Sequence, residues 1–395
     1  MPRFSNLEWF SLESDFDVGL LAYLEEDIGA DDARRMADHV DALFVDPFCA
    51  RSGWPEAVSS TVILNGKEAD SLDGAIADMR HQLNEVRQAG PALAAVYVFN
   101  DGSKLAPAAI AGRCRSAVLL VANHALADGL NLASMGHKRS GPPKVTPIPT
   151  ATHRRGVLRG LKEVVINGAK SIGTADRPYE PRHVIADVDR SLITGSAKAL
   201  GVGVEAMIYA LAYDRINPPG TTSHWIDKLN DCFVVFRGGA IRTAYEPFLK
   251  FGFSHMKNMS GIDLATHARQ LEIRLRKHRM HRDEIFISGQ TAVGFYRRIA
   301  SKLSAERRQL VLHKQMSNRL LMSLFPQHAK GLLPPGTAIL DANAMTLGNR
   351  GILCIIQGMQ GRVRFCFTVD AEIADRLDGF GPWADGALGE IVAGG

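Results

Sequence analysis

Residues 116–135, SAVLLVANHALADGLNLASM, decide how the rest of the chain reads. Ser116-Ala117-Val118-Leu119-Leu120-Val121-Ala122 is an unbroken apolar run of strand length, the pattern of a strand buried on both faces. It ends at Asn123-His124, and Ala125-Leu126-Ala127-Asp128-Gly129 follows as a small turn closed by glycine. A histidine at the carboxyl end of a buried strand is well placed to face a cleft. Asp128 stands close enough in a folded-back turn to brace the loop around the ring, and Gly129 permits a backbone that a side chain would forbid. This arrangement suits general base catalysis on a hydroxyl, amine or thiol. Histidine's ordinary pKa of about 6.5 lets it accept a proton near neutral pH. No serine or cysteine nucleophile is needed if the acceptor attacks an activated acyl thioester directly. The competing reading is a buried histidine whose hydrogen bonds are met within the core.

On either side of this segment, helical and strand-like patterns alternate. Residues 31–45 have helical spacing, with Met36, Val40, Leu43 and Phe44 apolar, and Pro47 closes them. Residues 57–64 read as a strand ended by Asn65-Gly66, and 73–89 as an amphipathic helix stopped by Gly90-Pro91. Residues 94–99 form the strand before 116–122. The stretch SGPPKVTPIP, residues 140–149, holds four prolines in ten residues and marks a boundary. A basic helix over 153–172 follows it. Beyond lie a strand at 184–188, helices at 190–200 and 204–213, a strand at 232–236 and a strongly basic helix at 264–282. The helix over 204–213 is almost wholly apolar and should be buried. A helix at 309–324, strands at 337–342, 352–357 and 362–368, and a short helix at 371–377 complete the pattern. Mixed elements throughout predict sheets covered by helices.

Composition bounds the function classes. At 395 residues the chain is long enough for two domains. The expected division is an N-terminal domain over 1–150, a linker with the basic helix over 151–182, and a C-terminal domain over 183–395. Apolar residues make up 46% and charged residues 22%, the balance of a globular protein, and a net charge of +4 implies no nucleic-acid partner. The first residues lack a signal-peptide pattern, and no apolar run approaches bilayer length. The five cysteines, at 49, 114, 232, 354 and 366, never form a C-x-x-C pair. They fit a reducing, cytoplasmic setting.

Segment 116–135 resembles the H-x-x-x-D-G active-site motif of the chloramphenicol acetyltransferase-like superfamily. Relatives there include condensation domains, wax ester synthases, polyketide-associated acyltransferases and plant acyltransferases. Further likenesses run in the same order: AKALGVGVEAMIYALAY (197–213), CFVVFRGGAIR (232–242), AMTLGNRG (344–351) and RVRFCFTVDAEIADRL (362–377). The resemblance implies an α/β (α+β) fold of two chloramphenicol-acetyltransferase-like domains. Each is a mixed sheet covered by helices, and an active-site tunnel lies between them. It implies that His124 deprotonates the acceptor and that Asp128 is structural, paired with Arg242 or, alternatively, Arg237. Gly129 would keep the tunnel open. Thr346 is the matching hydroxyl for oxyanion support, with Asn349 next. The implied function is acyl transfer from acyl-coenzyme A or a carrier-protein thioester to a small alcohol or amine, in bacterial secondary or lipid metabolism. No bound cofactor or metal is expected; acyl-coenzyme A or acyl-phosphopantetheine is a co-substrate, and an acyl carrier protein is a further expected partner.

Two departures narrow the branch. Condensation domains and wax ester synthases carry two adjacent histidines, whereas the first position here is Asn123. The plant D-F-G-W-G sequence is absent. The alternatives are a condensation-type enzyme joining carrier-bound substrates and a non-catalytic binding relative.

Other signals weigh less. Arg274, Arg276 and Lys277, in the basic helix, are candidates for attracting coenzyme A phosphates, against the plainer reading of a solvated basic face. Arg154, Arg155, Arg159 and Lys162 suit at most peripheral membrane contact. His278 and His281 lack a ligand set for metal and read as surface histidines. The absence of G-x-S-x-G disfavours an esterase with a nucleophile elbow.

Overall fold

The apolar runs become strands of two separate sheets. The structure, a computed structural model, describes residues 6–13, 16–54, 60–66, 70–90, 92–126, 150–172, 180–216, 231–237, 249–255, 262–316, 319–325, 333–347 and 351–394. Two units divide the chain. The first comprises Met1–Lys144, Ile241–Phe248 and Gln327–Gly348; the second comprises Val145–Ala240, Leu249–Pro326 and Asn349–Gly395.

The first unit opens with α1 (Asn6–Glu13) and is built on β1 (Asp17–Leu24), β2 (Val62–Asn65), β3 (Ala94–Phe99), β4 (Ser116–Asn123) and β9 (Ile339–Thr346). Their order is β2-β3-β4-β1-β9, with β2 parallel to β3 and every other pair antiparallel. All residues of β1, β3 and β4 are buried, so both faces of the sheet's centre are covered. α4 (Leu72–Ala89) covers one face. Its Ser71 cap accepts from the Gly74 amide at 3.2 Å, and Ala75, Ile76, Met79 and Leu83 form its buried stripe. Tyr97 on β3 bonds Asp78 of this helix.

The opposite face meets α2 (Ala30–Val40), a π-helical turn (Asp41–Val45) and α3 (Asp46–Ser52). Pro47 does not end the helix as the sequence suggests. It sits in the first turn of α3, which continues directly from the π-helical turn; there the Asp46 amide donates to the Asp41 carbonyl five residues back, and this wider turn carries the helix through the proline. Val40 and Phe44 close a small apolar cavity against Val18, Leu20, Leu120 and Ala122. A short helix, α5 (Ala108–Ala111), precedes β4.

The second unit begins with α6 (Thr150–Ile172), β5 (Pro181–Asp189), α7 (Arg190–Leu200) and α8 (Val204–Ile216). β6 (Asp231–Arg237), β7 (Leu249–His255), α9 (Leu264–Met280), α10 (Arg282–Ala300), α11 (Ala305–Met316) and β8 (Arg319–Phe325) follow. β10 (Ile352–Gly358), β11 (Arg362–Asp370), α12 (Ala371–Leu377) and α13 (Phe380–Gly394) complete it. The sheet runs β5-β11-β10-β8-β6-β7, with β8 parallel to both β10 and β6. Val363, Phe365, Phe367 and Val369 share one face of β11 and join the core that contains the buried α8. Phe380 of α13 meets Phe365 at a tilt and Phe367 edge-on, at 4.9 and 5.2 Å between centroids.

Further sequence expectations change. Residues 319–325, expected inside a helix, form β8. A short apolar run is ambiguous between the two states, and parallel partners on both sides decided for strand. The strand near 337–342 becomes β9 and pairs with β1 of the first unit. The sequence places these residues in a C-terminal domain over 183–395. α1, β1, α3, α5, β7, α10 and α13 are absent from the sequence reading. The helix expected within the linker over 151–182 is α6. It packs against α10 through Gly156 and Gly160, where an added Cβ would stand 2.6 Å from Ile287 Cβ and 2.6 Å from the Ser288 carbonyl oxygen. Its four-residue glycine spacing is the legible signal. Among the described residues no helix is long and apolar enough to cross a membrane.

The reverse face of β11 carries a buried cation. Arg364, 2% exposed, holds Asp187 of β5 in two bonds of 2.7 and 2.8 Å, with Gln357 of β10 next in register. Removing the carboxylate leaves a charge in the core without its counterion. Asp187→Ala should therefore cost roughly 3 kcal/mol, read as a lower urea midpoint at unchanged slope. Arg364→Met, which removes the charge itself, should cost less.

Candidate active site

β1 lies between β4 and β9, and the chain at its start receives the ends of both. The His124 amide donates to the Phe16 carbonyl at 2.8 Å, and the Leu347 amide donates to the Asp17 carbonyl at 2.9 Å. Thr346 pairs with Val18, and Val18 pairs with Ala122. Residues directly opposite one another share a face, and alternation along β4 adds His124 to that face. The rings of Phe16 and His124 meet there, 5.2 Å between centroids and tilted by 44°. Thr346 and His124 thus flank β1 on its two sides, two strand spacings apart across the sheet and two residues apart along it, about 12 Å in all. Both are buried.

Asn123 shapes the turn that carries the histidine. Its side-chain oxygen accepts from the Ala125 amide at 3.0 Å, and its amide nitrogen donates to the Ser11 carbonyl at 3.2 Å. An asparagine that bonds the backbone two residues on is a self-contained turn. It also ties that turn to α1. The Asn123 amide donates to the Leu93 carbonyl at 2.8 Å, which fixes the end of β4 against the entry of β3.

Beneath this point lies an ion pair. Arg87, near the end of α4, grips Asp17 with two bonds of 2.8 and 2.9 Å. Its Nε donates to the Ala92 carbonyl at 3.0 Å. One α4 residue two turns earlier, Arg80, donates to the Leu347 carbonyl. The sequence reading omitted Asp17, Arg80 and Arg87. The available signal is the spacing of the arginines, which continue the buried stripe of Ile76, Met79 and Leu83.

Electrostatics favour an uncharged ring at His124. Burial lowers its pKa from 6.5 to about 4, and its own backbone carbonyl, which favours the protonated ring, offsets only part of that. At pH 7 the imidazole is neutral and able to accept a proton.

The remaining sequence candidates fall elsewhere. Asp128, Gly129, Asn349 and Arg242 lie outside the described residues. Arg237 is the last residue of β6, in the second unit. Arg274, Arg276 and Lys277 stand on α9, also in the second unit. Arg276 is engaged by Glu272 at 2.7 Å, and Glu272 also accepts the Gly203 amide at 3.0 Å. His281 is exposed as expected, whereas His278 is half-buried. Burial, then the nearby Arg159, Arg274 and His281 side chains, lower its pKa to about 4.

No protein-family model matches the chain, and no curated protein matches its sequence. Solved structures do match in fold. The trichothecene 15-O-acetyltransferase of Fusarium sporotrichioides aligns at a TM-score of 0.59 and 10% identity, over 99% of this chain and 94% of its own. Polyketide synthase associated protein 5 of Mycobacterium tuberculosis aligns at 0.54 and 13%, over 98% of both chains. The condensation domain of the Monacolin K polyketide synthase aligns at 0.51 and 8%, over 99% of this chain and 97% of its own. All are members of the condensation and chloramphenicol acetyltransferase-like superfamily, and the two mixed sheets covered by helices match its two-domain fold.

The low pKa of His124 has a measurable consequence for stability. The unfolded chain takes up a proton at this residue near pH 6.5, whereas the folded chain resists until about pH 4. Stability at this residue is therefore full above pH 6.5 and drains away as the pH falls toward 4, by roughly 3 kcal/mol in all. His124→Phe should flatten this part of the stability–pH curve, and the ring should titrate near 4 by NMR. A midpoint near 6.5 would contradict the buried environment.

Proposed function

We propose that the chain is an acyltransferase that moves an acyl group from a thioester to a hydroxyl or amine of a small acceptor, with His124 as general base. The observation that carries this reading is the placement of a neutral, buried histidine at the end of β4, on the same sheet face as Thr346. The fold match supports it: the neighbours are acyltransferases and condensation enzymes. The donor is acyl-coenzyme A or a carrier-bound acyl-phosphopantetheine.

His124 takes the proton from the acceptor's O–H or N–H, and the acceptor's lone pair forms the new C–O or C–N bond at the thioester carbonyl carbon. The carbonyl oxygen becomes an oxyanion, to which the Thr346 hydroxyl donates. Such a donor is worth about 3 kcal/mol of barrier in a dry site. Collapse breaks the C–S bond, and the leaving thiolate takes the proton back from the imidazolium. The burial that penalises a lone imidazolium is offset in this step, because the oxyanion appears beside it.

A condensation-type reaction between carrier-bound substrates is the second reading, favoured by the condensation domain among the fold matches. Asn123 counts against it, since it holds the turn where those relatives carry their first histidine. A non-catalytic binding relative is the rival outside catalysis.

Purified protein should release free thiol from an acyl-coenzyme A panel only when pooled small alcohols or amines are present. His124→Ala should lower that rate by about a hundredfold to ten-thousandfold while melting normally. Acceptor-dependent release with carrier-bound donors alone would favour the condensation-type reading, and release unaffected by His124→Ala would exclude the assigned base.

A further inference from the structure

We infer that Arg87 and Arg80 are positioning residues: α4 holds the base and the oxyanion donor in register by bolting down the start of β1 and the end of β9. This rests on the roles proposed for His124 and Thr346, but the observations beneath it are independent of any activity. His124 is anchored by one carbonyl of β1's leading edge, Phe16, and the residue after Thr346 is anchored by the next, Asp17. The separation of base and donor is therefore set by the backbone at 16–18. Asp17 is itself fixed by the two-bond grip of Arg87. The same guanidinium reaches Ala92, whose neighbour Leu93 accepts the Asn123 amide. Arg80 fastens the other side through the Leu347 carbonyl.

Bulk stabilisation alone is a weak explanation for this arrangement. Asp17 is a buried carboxylate whose desolvation a well-packed apolar pair would avoid. What an ion pair adds is direction. A planar guanidinium with two bonds to a carboxylate defines position and angle together, which a lysine or an apolar contact does not. Arg87 with this two-bond grip on Asp17, and Arg80 seven residues earlier with its bond to the Leu347 carbonyl, reach the ends of three adjacent strands from one helix. Catalysis is sensitive to displacements of this kind, since a shift of about 1 Å can lower a rate a hundredfold.

The test compares Arg87→Leu, Arg87→Lys, Asp17→Asn and Arg80→Leu with the wild type, each assayed well below its melting temperature. One readout is the NMR titration of the His124 ring, which needs no substrate; the other is kcat and KM separately for acyl transfer. Arg87→Leu should let water reach the turn and raise the ring's midpoint from about 4 by a unit or more. It should lower kcat at least about tenfold with KM nearly unchanged. Arg87→Lys should recover only part of both, because charge returns without the second bond. Arg80→Leu should lower kcat while leaving the ring titration in place, since it acts on the Thr346 side. If Arg87→Leu does not fold, Arg87→Lys and Asp17→Asn carry the comparison. Folded variants with wild-type ring titration and wild-type kcat would overturn the inference. Should the wild type transfer no acyl group at all, the ring titration decides: a raised midpoint in Arg87→Leu supports the positioning role without the acyltransferase reading, and an unchanged one overturns it.

Discussion

The two-bond contact between Asp17 and Arg87 stands where three strands of the first sheet begin or end, and the site geometry depends on it. β1 is the central partner of β4 and β9, so every error in its placement is passed to both neighbours. A strand held only by its ladder can slip or fray at its end. Here the end is pinned from below by an arginine whose own position is set by a long, capped helix. His124, one residue beyond β4, and Leu347, one residue beyond β9, are held by the consecutive carbonyls of Phe16 and Asp17.

Charge is handled differently in the two units. In the first, the ion pair supports a histidine that burial keeps uncharged, so a proton acceptor sits in a region poor in water. In the second, Arg364 and Asp187 pair across β11 and β5 beneath an apolar face packed with aromatic rings. Both pairs place a guanidinium against a carboxylate in two-point geometry. Their value lies more in orienting the strands than in net stability, because the desolvation of buried ions offsets most of their attraction.

Asn123 fixes the turn that carries His124. Its side chain closes that turn on itself and ties it to α1, two hydrogen bonds that hold the backbone leading into the histidine. The brace expected between Asp128 and Arg242 or Arg237 lies beyond the described residues, while the brace that the structure displays uses Asp17 and Arg87.

The sequence by itself determined the elements that carry their own signal. The apolar run at 116–122, the capped stripe of α4, the wholly apolar α8 and the histidine at the end of β4 follow from local pattern, because burial on both faces or on one stripe dictates residue type at each position. Local pattern could not assign 319–325, where seven residues fit helix or strand and the neighbouring strands settled the matter. Nor could it place 339–346, whose partner β1 lies more than 300 residues earlier in the chain. The partners of Asp17, Arg80 and Arg87 were hidden for the same reason, although the arginines lie on the buried stripe of α4. Each is an ordinary charged residue until a partner distant in sequence buries it, and only the tertiary structure brings helix, carboxylate and strand ends to one point.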